Sequence, residues 1–348
     1  MRQPARHGLA VTPTKVAYKR CIWVMPRVIT VEVWWRSSSA QTLRLSLTLF
    51  IAWRQRHVPD DLEYAEFEVI VECPLCRGGR FRNVDRVANV VTCVNRSFRF
   101  VSPRPTQREI ARGYSTPTSY ATWLTQTQPR LELWRRRFEA VMESRPSGSL
   151  LDVGAGLGTF LSIARDRGWT VAGTEVSSTA IRYAATAYGI ELMCGQLDET
   201  EFATRFDVIT LWHVLEHVPD PVVTLQAVRR LLAPRGRVVL ALPNDSAPAQ
   251  ALSSVVRLVR RASRRRTQPR YERLTPGTES HLSHFTPGTI RLALREAGLE
   301  PEMEDVDDAA PLRSGLGHLV FNARRTLTHA TPWNFGAEML LVARVEGA

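Results

Sequence analysis

Asp152 ends a short apolar run and is followed by three glycines at alternate positions, Gly154, Gly156 and Gly158. Glycine takes positive φ at no steric cost and lets backbone N–H groups approach a ligand with no Cβ in the way. A turn that seats a pyrophosphate spaces its glycines G-x-G-x-x-G, so that the phosphates meet the following helix N-terminus. Here the spacing is one residue tighter and an acid precedes it, which favours a cationic ligand without phosphates. Glu175 lies 17 positions past Gly158, near the spacing at which an acid closing the next strand accepts hydrogen bonds from ribose hydroxyls.

A second group that could do chemistry is Trp212-His213-Val214-Leu215-Glu216-His217-Val218-Pro219-Asp220-Pro221, with His281-Leu282-Ser283-His284-Phe285-Thr286-Pro287 further on; these hold four of the eight histidines. On one helical turn His213, Glu216 and His217 would stand at i, i+3 and i+4 and face one site. Three roles fit them. They order a loop beside a ligand; or one histidine, with an ordinary pKa near 6.5, takes a proton from a hydroxyl; or the turn, with His281 or His284, holds a divalent cation. A catalytic set of His213, Glu216, His217 and His284 is expected.

The elements that must position these groups alternate as a doubly wound sheet requires. After the glycine turn the pattern predicts a helix over 158–168 and a strand over 170–174 closed by Glu175. A helix over 178–188, a strand over 191–194 and a buried strand over 206–211 follow. Next come an amphipathic helix over 221–232, a strand over 236–242, a helix over 289–297, and strands near 300–306 and 337–345.

In this order the motifs resemble those of the class I S-adenosylmethionine-dependent methyltransferases, over roughly residues 146–348. The resemblance implies an α/β fold: a Rossmann-like seven-stranded sheet with helices on both faces and an antiparallel final strand. It implies S-adenosylmethionine as cofactor, held by Asp152, Gly154, Ala155, Gly156, Gly158, Glu175, Val176, Gln196, Leu197 and His213, with Gly195 to Asp198 beside the adenine. The H-V-L-E-H-V and H-L-x-H-F-T segments resemble one branch of the family, whose members methylate sugars, lipids, quinone precursors and polyketides. Ubiquinone-pathway and small-RNA 2′-O-methyltransferases place E-x-x-E-H around an ion. His213 replaces the first glutamate of that pattern here, which shifts preference from Mg²⁺ toward softer ions. The expected function is methyl transfer to a small-molecule, glycan or lipid-linked acceptor, on oxygen. The alternatives are an RNA methyltransferase or a cofactor-binding scaffold without turnover.

Upstream, Cys73-Pro-Leu-Cys76 and Cys93-Val-Asn-Arg96 precede Pro103-Arg-Pro-Thr106. This resembles the zinc-ribbon-like knuckle that stands ahead of many methyltransferases of this branch. Arg96 sits where a fourth cysteine belongs, and structural zinc takes four protein ligands. Cys73, Cys76 and Cys93 are therefore candidate metal ligands in a degenerate knuckle, with the metal-free form preferred.

The formal charge of +12 invokes nucleic acid or anionic membrane until it is located. Residues 1–58 carry ten basic residues and one acid; the other 290 hold 36 against 33. The catalytic region is thus not broadly basic, and a nucleic-acid partner is not expected. The expected organisation is a basic extension over 1–60, the knuckle over 66–102, a helical connector over 103–145 that includes Tyr114 and Tyr120, and the methyltransferase domain over 146–348 with a basic insertion at 245–280. The extension shows no export signal, and its apolar run Leu45 to Trp53 is too short to span a bilayer. A disordered arm, a partner-binding segment and a stretch foreign to the native product stay open for it. Five cysteines without an export signal fit a reducing cytoplasm. In the insertion Leu252, Val255, Val256 and Val259 recur at helical spacing with arginines opposite, which suits a lid or, over 252–273, a peripheral membrane or anionic-acceptor contact.

Overall fold

The computed structural model describes residues 30–36, 42–48, 64–114, 127–142, 147–246, 248–252, 270–276, 280–307 and 315–347. The chain forms two compact units, Met1–Asp60 and Asp61–Ala348. In the first, β1 (Thr30–Arg36) and β2 (Thr42–Thr48) pair antiparallel. The register sets Val31 opposite Leu47, Val33 opposite Leu45 and Trp35 opposite Leu43. No element was expected here, although the period-two pattern is in the sequence. Tyr120, most of the Leu45 to Trp53 run and the helix expected in the insertion beyond Leu252 lie outside the described residues.

In the second unit the chain runs through β3 (Phe67–Glu68), β4 (Phe81–Asp85), β5 (Val90–Cys93), β6 (Arg99–Val101), β7 (Arg104–Pro105), α1 (Gln107–Tyr114) and α2 (Thr127–Met142). It continues with β8 (Ser149–Val153), α3 (Thr159–Asp166), β9 (Thr170–Glu175), α4 (Ser178–Tyr188), β10 (Met193–Cys194), β11 (Phe206–Trp212), α5 (Pro221–Leu231) and β12 (Leu232–Pro243). The last elements are β13 (Ser283–His284), α6 (Pro287–Glu296), β14 (Leu299–Asp307), α7 (Gly315–Ala330) and β15 (Glu338–Val345). The helix α7 was not foreseen, and the strand expected over 191–194 shortens to two residues.

Seven strands form one sheet in the order β10-β9-β8-β11-β12-β15-β14. β15 alone runs antiparallel, paired with β12 and β14, as expected. Alternate side chains go to opposite faces of a strand, and the core divides accordingly. Leu151, Val153, Ile209, Leu211, Val238, Leu240 and Leu341 pack under α5 and α6. Leu150, Val208, Val239, Ala241, Leu340 and Val342 pack against Trp134, Phe138 and Met142 of α2 and Phe160 of α3. The knuckle is not a separate body: Cys73, Cys93, Phe98, Phe100 and Phe285 belong to the first of these clusters. Its own sheet has the order β13-β6-β5-β4, so the segment carrying His281 and His284 supplies its edge strand.

Candidate functional site

A cavity of about 280 Å³ opens where the strands of the large sheet end, lined by the turns after β8, β9, β10 and β11 and capped by α1 and α2. Ligands of open α/β sheets bind at the carboxyl ends of the strands, at a point where the strand order reverses. β8 is such a point: β9 follows it on one side, while β11 flanks it on the other.

The glycine turn forms the floor. Gly154, Gly156 and Gly158 all have positive φ, and a Cβ at Gly154 would stand 2.7 Å from Val214 Cγ2. That close approach lets the loop after β11 cross the turn. Glu175 closes β9, is 4% exposed and lines the cavity. Its Oε2 accepts from Gly156 N at 2.8 Å, while Oε1 accepts from Val176 N at 2.9 Å and Ser177 N at 2.8 Å. Val176, Gly195, Gln196, Leu197 and Asp198 continue the wall.

Three of the expected cofactor residues do not reach the cavity wall. Asp152 is buried beneath it and accepts from Thr210 Oγ1 at 2.6 Å; burial pushes its carboxyl up to about 7. Ala155 donates its N–H to Thr174 O. Gly158 caps α3, where a Cβ would meet Ala184 Cβ at 2.9 Å. These three shape the turn rather than its surface.

The opposite wall is the loop after β11, and it is not the helical turn expected. His213 adopts φ 57, a strained value for a non-glycine residue, and its N–H reaches Ala241 O at 2.8 Å. Both histidines still line the cavity, and each brings a ring nitrogen near the same oxygen of Glu216. Glu216 is 1% exposed, and neither carboxylate oxygen has a hydrogen bond. The nearest ring nitrogens are His213 Nδ1 at 3.3 Å and His217 Nε2 at 3.9 Å from Oε1. Burial by itself would raise this carboxyl, but His213, His217 and His281 hold it down to about 2. For the His213 ring burial works downward, yet Glu216 and Glu338 carry it above the ordinary histidine value. His217 Nδ1 lies 2.9 Å from both Ser280 O and Tyr114 Oη. A carbonyl only accepts, so Nδ1 carries a proton, and in the neutral ring Nε2 is the nitrogen with the lone pair.

The group that could hold a cation is Glu216, His217 and His281, whose ligand atoms lie within 4.8 Å of one another. Neither His213 nor His284 belongs to it. The expectation for His284 is corrected: it lies off the cavity wall. Pairing of β13 with β6 sets it opposite Arg99, its ring packs 4.7 Å from that of Tyr271, and burial lowers it to about 4. Sequence reasoning missed Tyr114, Arg130, Trp134 and Arg137, which line the cavity from the two cap helices. No motif marks them; Trp134 and Arg137 at i and i+3 were the only signal that one helix face carries them.

Cys73, Cys76 and Cys93 also gather their sulfurs within 4.8 Å, with Cys76 and Cys93 at 3.6 Å. Burial pushes the Cys73 thiol up to about 12. Burial works the same way on Cys93, but the N–H groups of Arg96 and Asn95 carry it below the ordinary value. The Arg96 side chain is exposed and is no ligand, so a closed site of four protein donors is not formed among the described residues.

A family model described as a methyltransferase domain matches residues 124–303. The ubiquinone biosynthesis O-methyltransferase of Ralstonia nicotianae is 27% identical over 217 residues, which cover 60% of this chain and 83% of that one. The protein of the same description from Thiobacillus denitrificans is 29% identical over 160 residues, 44% of this chain, and the match spans 65% of that relative's length. Among solved structures, magnesium protoporphyrin IX methyltransferase from Synechocystis PCC 6803 superposes with a TM-score of 0.46 at 14% identity, covering 69% of this chain and all of that one. With more than half of its length matched by the family model, the chain belongs to the methyltransferase-domain family.

Proposed function

We propose that the protein transfers the methyl group of S-adenosylmethionine to an oxygen of a small-molecule, sugar or lipid-linked acceptor. The observation that carries this reading is the single cavity in which the glycine turn, Glu175 and the Gly195–Asp198 wall meet the His213–His217 loop. Gly154 and Gly156 bring backbone close to the donor, Glu175 takes its ribose hydroxyls, and Val176, Gln196 and Leu197 enclose its base. When bound, the donor supplies a methyl already activated on a sulfonium. The protein's part is alignment of donor and acceptor, worth up to about 7–11 kcal/mol in favourable intramolecular models. An acceptor hydroxyl also loses a proton, and His217, with Nε2 unprotonated, is positioned to take it. The described relatives act in ubiquinone biosynthesis, which agrees with an oxygen acceptor.

Calorimetric titration with S-adenosylhomocysteine tests the reading. The parent is expected to bind at micromolar concentration and Glu175→Ala about ten- to hundredfold more weakly, since hydrogen bonds to a charged group contribute about 1.5–3 kcal/mol. A folded parent that does not bind overturns it.

The buried, unbonded carboxylate of Glu216 supports a second reading, in which Glu216, His217 and His281 hold a divalent cation near the acceptor. Elemental analysis of the purified protein should then show one ion that Glu216→Ala loses; unchanged metal content removes the reading. For the knuckle, burial of Cys73 and Cys93 in the shared core and the missing fourth donor favour stability by packing over a closed zinc site.

A further inference from the structure

Arg137 is a buried cation that the proposed chemistry does not use. It is 3% exposed, and its guanidinium packs against two indoles that meet edge to face, 4.9 Å from the Trp134 ring centre and 5.0 Å from that of Trp212. Nε donates to Asp307 Oδ2 at 2.9 Å, and Nη2 reaches the same oxygen at 2.5 Å. Nη2 also lies 3.0 Å from His213 Nε2.

A guanidinium has donors only and does not lose its charge. His213 Nε2 must therefore accept, and an accepting ring nitrogen bears no proton. The neutral ring then carries its hydrogen on Nδ1, the nitrogen that faces Glu216 at 3.3 Å and Glu338 at 3.8 Å. A doubly protonated ring would set an N–H against the Arg137 N–H at hydrogen-bond distance. Salt bridging to Asp307 and packing against the two tryptophans would satisfy a purely structural arginine; the contact to Nε2 goes beyond both.

We propose that Arg137 is a positioning residue that fixes His213 as its Nδ1–H tautomer, presenting that hydrogen to Glu216 and removing His213 as an acceptor of the substrate's proton. The tautomer stands on geometry alone; only its bearing on the substrate's proton rests on the methyl-transfer reading. Arg137 comes from the helix preceding the sheet, and Asp307, at the end of β14, aims it. The cap helix, the far edge of the sheet and the histidine loop thus meet in one hydrogen-bonded chain.

The test is the ¹⁵N spectrum of the full chain labelled at histidine, with the His213 signals identified by their loss in His213→Gln. In the parent at alkaline pH, where the ring is neutral although Glu216 and Glu338 raise its titration, Nε2 is expected to give the signal of a bare ring nitrogen and Nδ1 that of a protonated one. Arg137→Met would leave Asp307 buried without its partner, so the paired variant Arg137→Met/Asp307→Asn is compared. In it the Nε2 signal should shift toward the protonated position. A protonated Nε2 in the parent, or an unshifted signal in a folded paired variant, overturns the proposal. Should the variant fail to fold, the parent spectrum still decides the tautomer. Binding of S-adenosylhomocysteine to the same sample reports the methyl-transfer reading separately, since its absence leaves the histidine spectrum interpretable.

Discussion

Gly154 shows how one residue joins the two halves of the site. Its φ of +65 and the Val214 Cγ2 atom 2.7 Å from a would-be Cβ both exclude a side chain. Gly154→Ala is expected to cost roughly 1–2 kcal/mol for the left-handed backbone and more for the clash. Val214→Ala should recover the steric part only, and denaturant unfolding of the single and double variants measures both. Asp152 provides a pH test. Its folded pKa of about 7 lies above the ordinary carboxylate value, so the folded state holds a proton that the unfolded chain has released. The stability this contributes is complete below about pH 4, falls as pH rises, and is gone above about pH 7. Melting of Asp152→Asn, which does not titrate, should gain on the parent across that window; parallel curves would contradict the buried, protonatable carboxyl.

At the scale of elements, the knuckle, the β13 segment and the histidine loop are stitched together. Leu282 N and Ser283 N donate to Glu216 O at 2.8 and 3.1 Å, and Arg104 Nη1 donates to Pro219 O at 3.0 Å. Arg99 pairs with Asp245 at 2.6 Å, just past β12, and the Phe98 ring lies 5.2 Å from that of Phe285. Phe98 is fully buried, and truncation of such a residue costs about 3–5 kcal/mol. Phe98→Ala should lower the midpoint of the whole Asp61–Ala348 unit while unfolding stays a single transition by fluorescence and by circular dichroism. Two transitions would mean that the knuckle folds alone. The strand and helix order was legible because Leu150–Val153 and Phe206–Trp212 are near-continuous buried runs, as strands covered on both faces are, and α4 and α5 carry a period of 3.6. The two-residue β13 was not, since an edge strand that short has no period and exists only through its partner Phe100.

For the whole molecule, most of the net positive charge falls in residues 1–58, which carry ten basic residues against one acid. Removing residues 1–60 is expected to leave affinity for S-adenosylhomocysteine unchanged, as calorimetry on the shortened chain would show; a large loss would make the segment part of the binding unit. Among the described residues no helix is long and apolar enough to cross a membrane. What the sequence by itself determined was local: a glycine turn after an acid, a second acid one strand later, and alternation that specifies a doubly wound sheet. Each depends on neighbours within about 20 positions, where chain connectivity already sets the geometry. The histidine loop was decided only by tertiary structure. Helical spacing put His213, Glu216 and His217 on one face; the folded loop is no helical turn, since His213 takes φ 57 with its N–H on Ala241 O, yet both ring nitrogens still approach Glu216 Oε1. The same holds for Arg137, which reaches His213 across 76 positions and Asp307 across 170, and for His284, drawn away by its pairing with Arg99. Contacts between such distant residues follow from the packing of whole elements, and no local pattern encodes them.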